Sequence, residues 1–242
     1  MPRIRRNRHA VSPILQITRK DVSVPRSRAI NATCPSSPLA AAFAVQFEHL
    51  GMRPAVHADC WVAPTAVLSG NVTIGSGTRI LHGAVLTAEH GAQLKVGQHC
   101  VIMENAVLRA AGRFPLTLGD RVLVGPHAYV SGATIGSRCF IATGAMVFNG
   151  AEIGEGSVLA LDAKAHIATR LPRGSFVPIG FIAVGESGRI LSPAEASTAH
   201  EIVDAVGFTK YVFGWEPGSG NLAERYARAL GEYLEDRPIV EG

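Results

Sequence analysis

Seven side chains between residues 87 and 131 are of types that could do chemistry: Thr87, Glu89, His90, Glu104, Arg109, His127 and Ser131. Arg109 is a permanent cation, and its planar fork suits a carboxylate or a phosphate. Glu89, His90 and His127 could supply general acid/base chemistry, since His titrates near neutral pH, so they are the candidate catalytic groups. Arg109, Glu104, Thr87 and Ser131 are the candidate substrate-binding groups. His82, His90 and His127, with Glu104, form the set from which a zinc site could be assembled, because imidazole and carboxylate are zinc ligands. His82 also reads more simply as a surface histidine on a polar ladder.

These residues can meet only if the fold repeats, and the sequence does repeat. From residue 56 to about residue 182 an aliphatic residue recurs every six positions. The series runs Val56, Val62, Leu68, Ile74, Ile80 and Leu86, then Val96, Ile102 and Leu108, then Leu118, Val124 and Val130, then Ile135, Ile141, Val147, Ile153 and Leu159, with an echo at Leu171 and Val177. A short fixed period over this length is the mark of a solenoid, and a hexad period points to a parallel β-helix. Three hexads make one triangular coil, and each leading aliphatic points into the prism. The residue four later also points inward, near a corner where only small side chains fit. Cys60, Ala66, Val72, Thr78, Ala84, Cys100 and Ala106 begin that column, and Ser157 and Ala163 end it. Gly often follows the aliphatic, as at Gly75, Gly97, Gly119, Gly125, Gly136 and Gly154, where relaxed backbone angles are expected. The fold class is an all-β solenoid of about six to seven coils with C-terminal α-helices.

The register then places the candidate residues. Thr87, Arg109 and Ser131 each follow the leading aliphatic of a third side, so they should stack facing outward on three successive coils. His82, Glu104 and Pro126 hold the third position of the second side and should stack beside them. The step from Leu86 to Val96 is ten residues, as is that from Leu108 to Leu118, and the step from Val130 to Ile135 is one short. All three irregularities fall at one corner. Loops carry chemistry that a regular scaffold cannot, so this corner is the expected site.

Composition agrees with a thin prism: 47% of residues are hydrophobic but only 6% aromatic, with 26 Gly. No apolar run reaches the ~18–20 residues of a membrane span. Cys60, Cys100 and Cys139 fall on one inward column about two coils apart, too far for a disulfide, which suits reduced thiols and a cytoplasmic location. The net charge of +4 belongs to the N-terminus: residues 1–33 hold eight Lys/Arg and one Asp, whereas the remainder holds fifteen Lys/Arg and eighteen acids. No nucleic-acid surface follows from the charge.

Residues 1–45, rich in Arg, Ser and Pro, read as a disordered basic extension. A transit-peptide-like segment and an over-long reading frame with its true start at Met52 both stay open. Residues 52–185 are the prism and residues 186–242 a helical segment. Ser192, Pro193 and Glu195 form a capping box that opens a helix toward Val206. Residues 217–220 read as a linker, and Asn221 with Glu224 caps a helix over about 222–235.

The frames Val62, Ala63, Pro64, Thr65, Ala66; Ala84, Val85, Leu86 leading to Thr87, Ala88, Glu89, His90, Gly91; Leu94, Lys95, Val96, Gly97; and Pro172, Arg173, Gly174, Ser175 resemble the γ-class carbonic anhydrase family of hexapeptide-repeat proteins over about residues 52–188. The resemblance implies a left-handed prism, a homotrimer, and zinc held between subunits by three His. Residue by residue, those three His fall on Arg109, Pro126 and Ser131. Arg and Pro cannot replace them as zinc ligands. The family's Arg-x-Asp falls on Thr87 and Glu89, its proton-shuttling Glu on His90, and its Gln-Asp pair on Met103 and Glu104. No cofactor is expected by the usual motif, while zinc on relocated ligands and acyl-CoA stay open. The expected protein is a trimer that binds or acts on a small anionic molecule, with no nucleic acid and no membrane. An acyl-CoA-dependent acyltransferase on the same prism and a zinc carbonic anhydrase with relocated ligands are the alternatives. Met103, Leu123, Tyr129 and Phe148 are the apolar outward residues expected at the subunit seam.

Overall fold

The computed structural model describes residues 44–239 except 217 and 219. The expected basic extension up to residue 43 and part of the expected linker therefore lie outside the described residues. The chain winds as a left-handed parallel β-helix with three flat sides. The first and second sides each hold seven strands, and the third holds eight parallel strands with one antiparallel strand at either end. The prism therefore has somewhat more turns than the six to seven expected. Its first strand, Val45–Glu48, precedes Met52 and pairs in parallel with Val67–Ser69.

The hexad register holds along the prism. Leu68, Ile80, Leu86, Leu108, Ile141 and Leu159 are fully buried, and so are the small corner residues Ala66, Ala84, Ala106 and Ala145. Each buried aliphatic side chain contributes about 1.5–3 kcal/mol. One corner column mixes thiols and hydroxyls, and each closes a bond to the coil above it. Cys60 Sγ donates to the Gly75 carbonyl at 3.1 Å, Thr78 Oγ1 to Gly97 at 2.9 Å, Cys100 Sγ to Gly119 at 3.2 Å and Cys139 Sγ to Gly154 at 3.2 Å. Burial pushes all three thiols above the ordinary cysteine value, so they stay protonated donors.

The glycines that follow the leading aliphatics have a different role from the one expected. Gly75, Gly97, Gly119, Gly125, Gly136 and Gly154 are absent from the positive-φ positions. They are needed because stacked backbones approach closely: a Cβ on Gly97 would stand 2.5 Å from the Gly119 carbonyl oxygen. Positive φ falls further along the hexad. At the second corner the column is Gly83, Asn105, His127, Gly144, Asp162 and Gly180, all with φ between 56° and 71°. Asn, Asp and His tolerate this conformation better than most residues.

The ends of the third side are closed by the chain itself. Arg189–Leu191 pairs antiparallel with Ile182–Val184, and Arg237–Pro238 pairs antiparallel with Val45–Glu48. Both cover sheet edges that would otherwise be open to strand addition. The 192–195 capping box is present: Ser192 N donates to Glu195 Oε2 at 3.0 Å. Helix α1 (Ala196–Val206) follows and packs Ile202 and Val203 against Val184 and Leu191. Helix α2 (Phe208–Phe213) has no counterpart among the expected elements. The last expected helix is shorter than 222–235: α3 (Leu222–Ala229), capped by Asn221 Oδ1 on Glu224 N at 3.2 Å, passes into a 3-10 turn, Leu230–Glu235.

Gly97→Ala should cost about 1–3 kcal/mol through coil-to-coil overpacking, read as a lower denaturant midpoint with an unchanged slope.

Candidate functional site

Both ten-residue steps leave the prism at the corner where the third side meets the next coil. The first step carries Glu89 and His90, and the second carries Ala111 to Phe114. Backbone bonds stack the two loops, with Glu89 N donating to Ala110 O at 2.8 Å and Leu116 N to Gln93 O at 3.0 Å. Helices α2 and α3 lie over this part of the third side, and a cavity of about 480 Å³ opens between them and the prism. Phe213, Trp215 and Tyr226 wall it from the helical side, and Tyr129 and Phe148 from the prism. Phe213 stacks on Trp215 with centroids 4.8 Å apart and meets Tyr226 edge-on at 5.5 Å.

The cavity is organised by one ion pair. Arg109 Nε donates to Glu89 Oε1 at 2.7 Å and Arg109 Nη2 to Oε2 at 2.6 Å. Nη2 also donates to the Tyr226 hydroxyl oxygen at 3.0 Å. Glu89 is only 3% exposed. Burial alone would pull Arg109 down, but its bonds to Glu89 and Tyr226 and the Glu89 charge outweigh it and hold the guanidinium firmly protonated. Tyr233 is pushed far up by burial first and by the Glu89 charge second, so its hydroxyl stays a donor to that carboxylate.

His90 stands at the rim. Glu232 of the C-terminal 3-10 turn accepts from His90 N at 3.0 Å and meets His90 Nδ1 at 2.9 Å. The same carboxylate lies 3.1 Å from Nε2 of buried His49, whose Nδ1 faces Asp236 at 2.5 Å. Burial tends to raise the Glu232 carboxyl, but the His90 N–H, the His90 charge and the bond from His49 hold it below the usual glutamate range.

The register places Arg109 between Thr87 and Ser131 on adjacent coils, as expected. Glu89, His90, Arg109 and Ser131 line the cavity together, whereas Thr87 is half-buried in the same column and does not. Three expected site residues lie elsewhere. His82 is exposed, bonded through Nδ1 to Thr65 Oγ1 at 2.9 Å and edge-on to Trp61. His127 is an exposed turn residue with φ of 56° at the second corner. Glu104 stands half-buried near it and receives the His127 N–H on its backbone carbonyl. Within one chain, then, the fallback zinc set of His82, His90 and His127 with Glu104 is not drawn together. Among the described residues no group of three or more His, Cys, Asp or Glu is placed to hold a metal. The zinc implied by the resemblance does not fit its usual positions either: a guanidinium tied to a buried carboxylate fills the first, and Pro126 offers no donor. Tyr129 and Phe148, expected at a subunit seam, face the cavity under the chain's own helices.

Four functional candidates were not foreseen. Asn149 lines the cavity floor at 7% exposure, and Trp215, Tyr226 and Glu232 arrive from the C-terminal segment. Asn149 had a signal, since it stands two residues after Val147 on the same third side as Ser131. The other three had none, because no repeat register links residues 215–232 to the prism.

Arg109→Met should cost about 3–5 kcal/mol because it strands the buried Glu89 charge, while the double replacement Arg109→Met with Glu89→Met should recover most of that loss in urea unfolding. A carboxyl held low in the folded state adds stability above its unfolded value, about 4.3, and loses it as pH falls through the lower folded value. Hydrogen exchange in residues 230–238 should therefore accelerate below about pH 4, a step that Glu232→Gln abolishes.

No family model matches the chain. It is 32% identical over 127 residues to a mitochondrial γ-carbonic anhydrase 2 of Arabidopsis thaliana, covering 50% of this chain and 45% of that one. Carbonic anhydrase of Geobacillus kaustophilus is 28% identical over 110 residues, 46% of this chain and 60% of that protein. The chain spans about half the length of the first of these relatives. Carnitine operon protein CaiE of Escherichia coli is 28% identical over 196 residues, 79% of this chain and 92% of that protein. Among solved structures, a hexapeptide transferase family protein from Anaplasma phagocytophilum superposes over 67% of this chain and 95% of its own, with a TM-score of 0.40 and 21% identity. The chain is similar to γ-class carbonic anhydrases and folds as a left-handed β-helix of the hexapeptide-repeat type, and that resemblance implies Arg109, Pro126 and Ser131 where those proteins have three zinc histidines.

Proposed function

We propose that this protein binds a small anionic molecule in the aromatic cavity centred on Arg109, and that it does so as a homotrimer without the usual zinc. The observation that supports the reading is the fixed guanidinium. Arg109 is locked by Glu89 and Tyr226, yet Nη1 makes no hydrogen bond to any described residue. Arg113 adds a second cation at the rim, lying over the Phe114 ring and paired with no carboxylate among the described residues. A cavity of this volume falls within the range of small-molecule sites. The site is then completed by one chain, where the resemblance implied a seam between subunits.

The trimer reading is supported by a contrast between the two sides that the helices leave open. The second side turns Trp61, Arg79, Val101, Leu123, Phe140, Val158 and Phe176 outward, apolar at every strand but one. The first side turns out Thr73, Lys95, Thr117, Thr134, Glu152 and Arg170. An apolar face repeated by rotation closes on copies of itself. A cytoplasmic location accords with the three buried thiols. No helix among the described residues is long and apolar enough to cross a membrane.

One observation favours acyl transfer as a second reading. Glu232 faces His90 Nδ1, and Nε2 makes no hydrogen bond to a described residue at the mouth of an apolar cavity. In that reading His90 takes the proton of an incoming hydroxyl or amine as its oxygen or nitrogen bonds to the thioester carbon of an acyl-CoA, and returns that proton to the CoA sulfur as the C–S bond breaks and free CoA leaves.

Sedimentation should give about three times the 25.5 kDa chain mass, and Phe140→Asp with Phe176→Asp should give monomer. Protein purified without chelator should carry far less than one zinc per chain and show no carbon dioxide hydration. Calorimetry should detect benzoate binding that Arg113→Gln weakens about 3- to 10-fold. Acetyl-CoA turnover that is lost in His90→Gln would move the weight to acyl transfer.

A further inference from the structure

The floor of the cavity holds two polar side chains whose burial the fold does not explain. Ser131 is 2% exposed and Asn149 is 7% exposed. Neither side chain hydrogen-bonds to any described residue, and both line the cavity. They differ from Ser69, the one buried side chain among the described residues whose polar atom is sealed away without a partner, because they border the cavity. A buried amide or hydroxyl without a protein partner costs the fold free energy, so its partner is expected to be something the cavity holds. Arg109 completes the set. It stands beside Ser131 on the adjacent coil, with Nη1 unused.

We propose that Ser131, Asn149 and Arg109 form the head-group subsite of this cavity, and that the ligand is a monocarboxylate with a flat apolar body. This rests on the anion-binding reading and narrows it. The three groups offer a hydroxyl, an amide N–H and a guanidinium N–H, all able to donate to the two oxygens of one carboxylate. Charge selects the class. Arg109 is already balanced by Glu89, so Arg113 is the one cation on the cavity wall that no acid balances among the described residues. One negative charge is thereby met. A phosphate dianion would leave a second charge in an aromatic chamber, and a neutral amide would gain nothing from the charge of Arg113, an exposed guanidinium that donates to the Lys210 and Tyr211 carbonyls. The body follows from the walls, since Tyr129, Phe148, Phe213 and Trp215 line the chamber with aromatic rings.

The test is calorimetry on the full chain with benzoate and 2-naphthoate, each beside its carboxamide and its phosphate or phosphonate counterpart. The proposal expects at least one carboxylate to bind about 10-fold more tightly than both of its counterparts. Asn149→Ala and Ser131→Ala should each weaken that carboxylate about 10-fold. The same variants, without ligand, should melt no lower than the parent, because the groups removed satisfy nothing in the fold. Tighter binding of the phosphate, or carboxylate binding that Asn149→Ala leaves unchanged, would overturn the head-group assignment while leaving anion binding intact. If no anion of any head group binds, both readings fall. A clear drop in melting temperature for unliganded Asn149→Ala would show the amide to be structural and would overturn the proposal by itself.

Discussion

The prism interior admits one aliphatic side chain per side and one small one per corner, and everything else in the molecule follows from that restriction. Because each coil must seat its leading aliphatic over that of the coil below, the register cannot slip without turning the buried column out to water. Leu86, Leu108 and Val130 therefore stack in the core, and the residues after them, Thr87, Arg109 and Ser131, stack outside. The glycines at the corners belong to the same restriction. Gly97 lacks a side chain because the Gly119 carbonyl of the next coil occupies the space a Cβ would need.

A fixed outward column is a poor enclosure for a ligand, because a flat β-side has no walls. The chain supplies them from elsewhere. The two loop insertions raise one edge, α2 and α3 form a roof, and the 3-10 turn is held down by Glu232, Tyr233 and Asp236. The Arg109–Glu89 pair joins these parts, since it touches the prism, the first insertion and Tyr226 of α3 at once. Its energetic cost is borne by bidentate geometry and the surrounding hydroxyls, which is the condition under which a buried ion pair is tolerated. In the γ-carbonic anhydrase resemblance a metal cation would stand where Arg109 stands. The guanidinium keeps a positive charge there but changes the chemistry, because it donates hydrogen bonds and cannot activate water as a Lewis acid does.

The prism was legible in the sequence because a period of six leaves its mark on every coil. The same register brings Arg109, Glu89, His90 and Ser131 to one region. Within one chain His127, His82 and Glu104 lie away from that region, because the register fixes the column a residue joins but not the backbone conformation at the corner. His127 occupies a left-handed turn column with Asn105 and Asp162, which turns it away from the cavity. The glycine column was read as positive φ for the same reason, although close backbone approach is the actual cause. The roof could not be read at all. Trp215, Tyr226 and Glu232 reach the site over more than a hundred residues, and no periodic restriction ties them to it.

The most direct test is a crystal of the full chain soaked in 4-bromobenzoate, with the bromine located by its anomalous signal. A peak inside the cavity among Phe148, Phe213 and Trp215, with the carboxylate on Ser131, Asn149 and Arg109 Nη1, is the result this account predicts. A peak at the second corner beside His82 and His127, with the cavity empty, would contradict it.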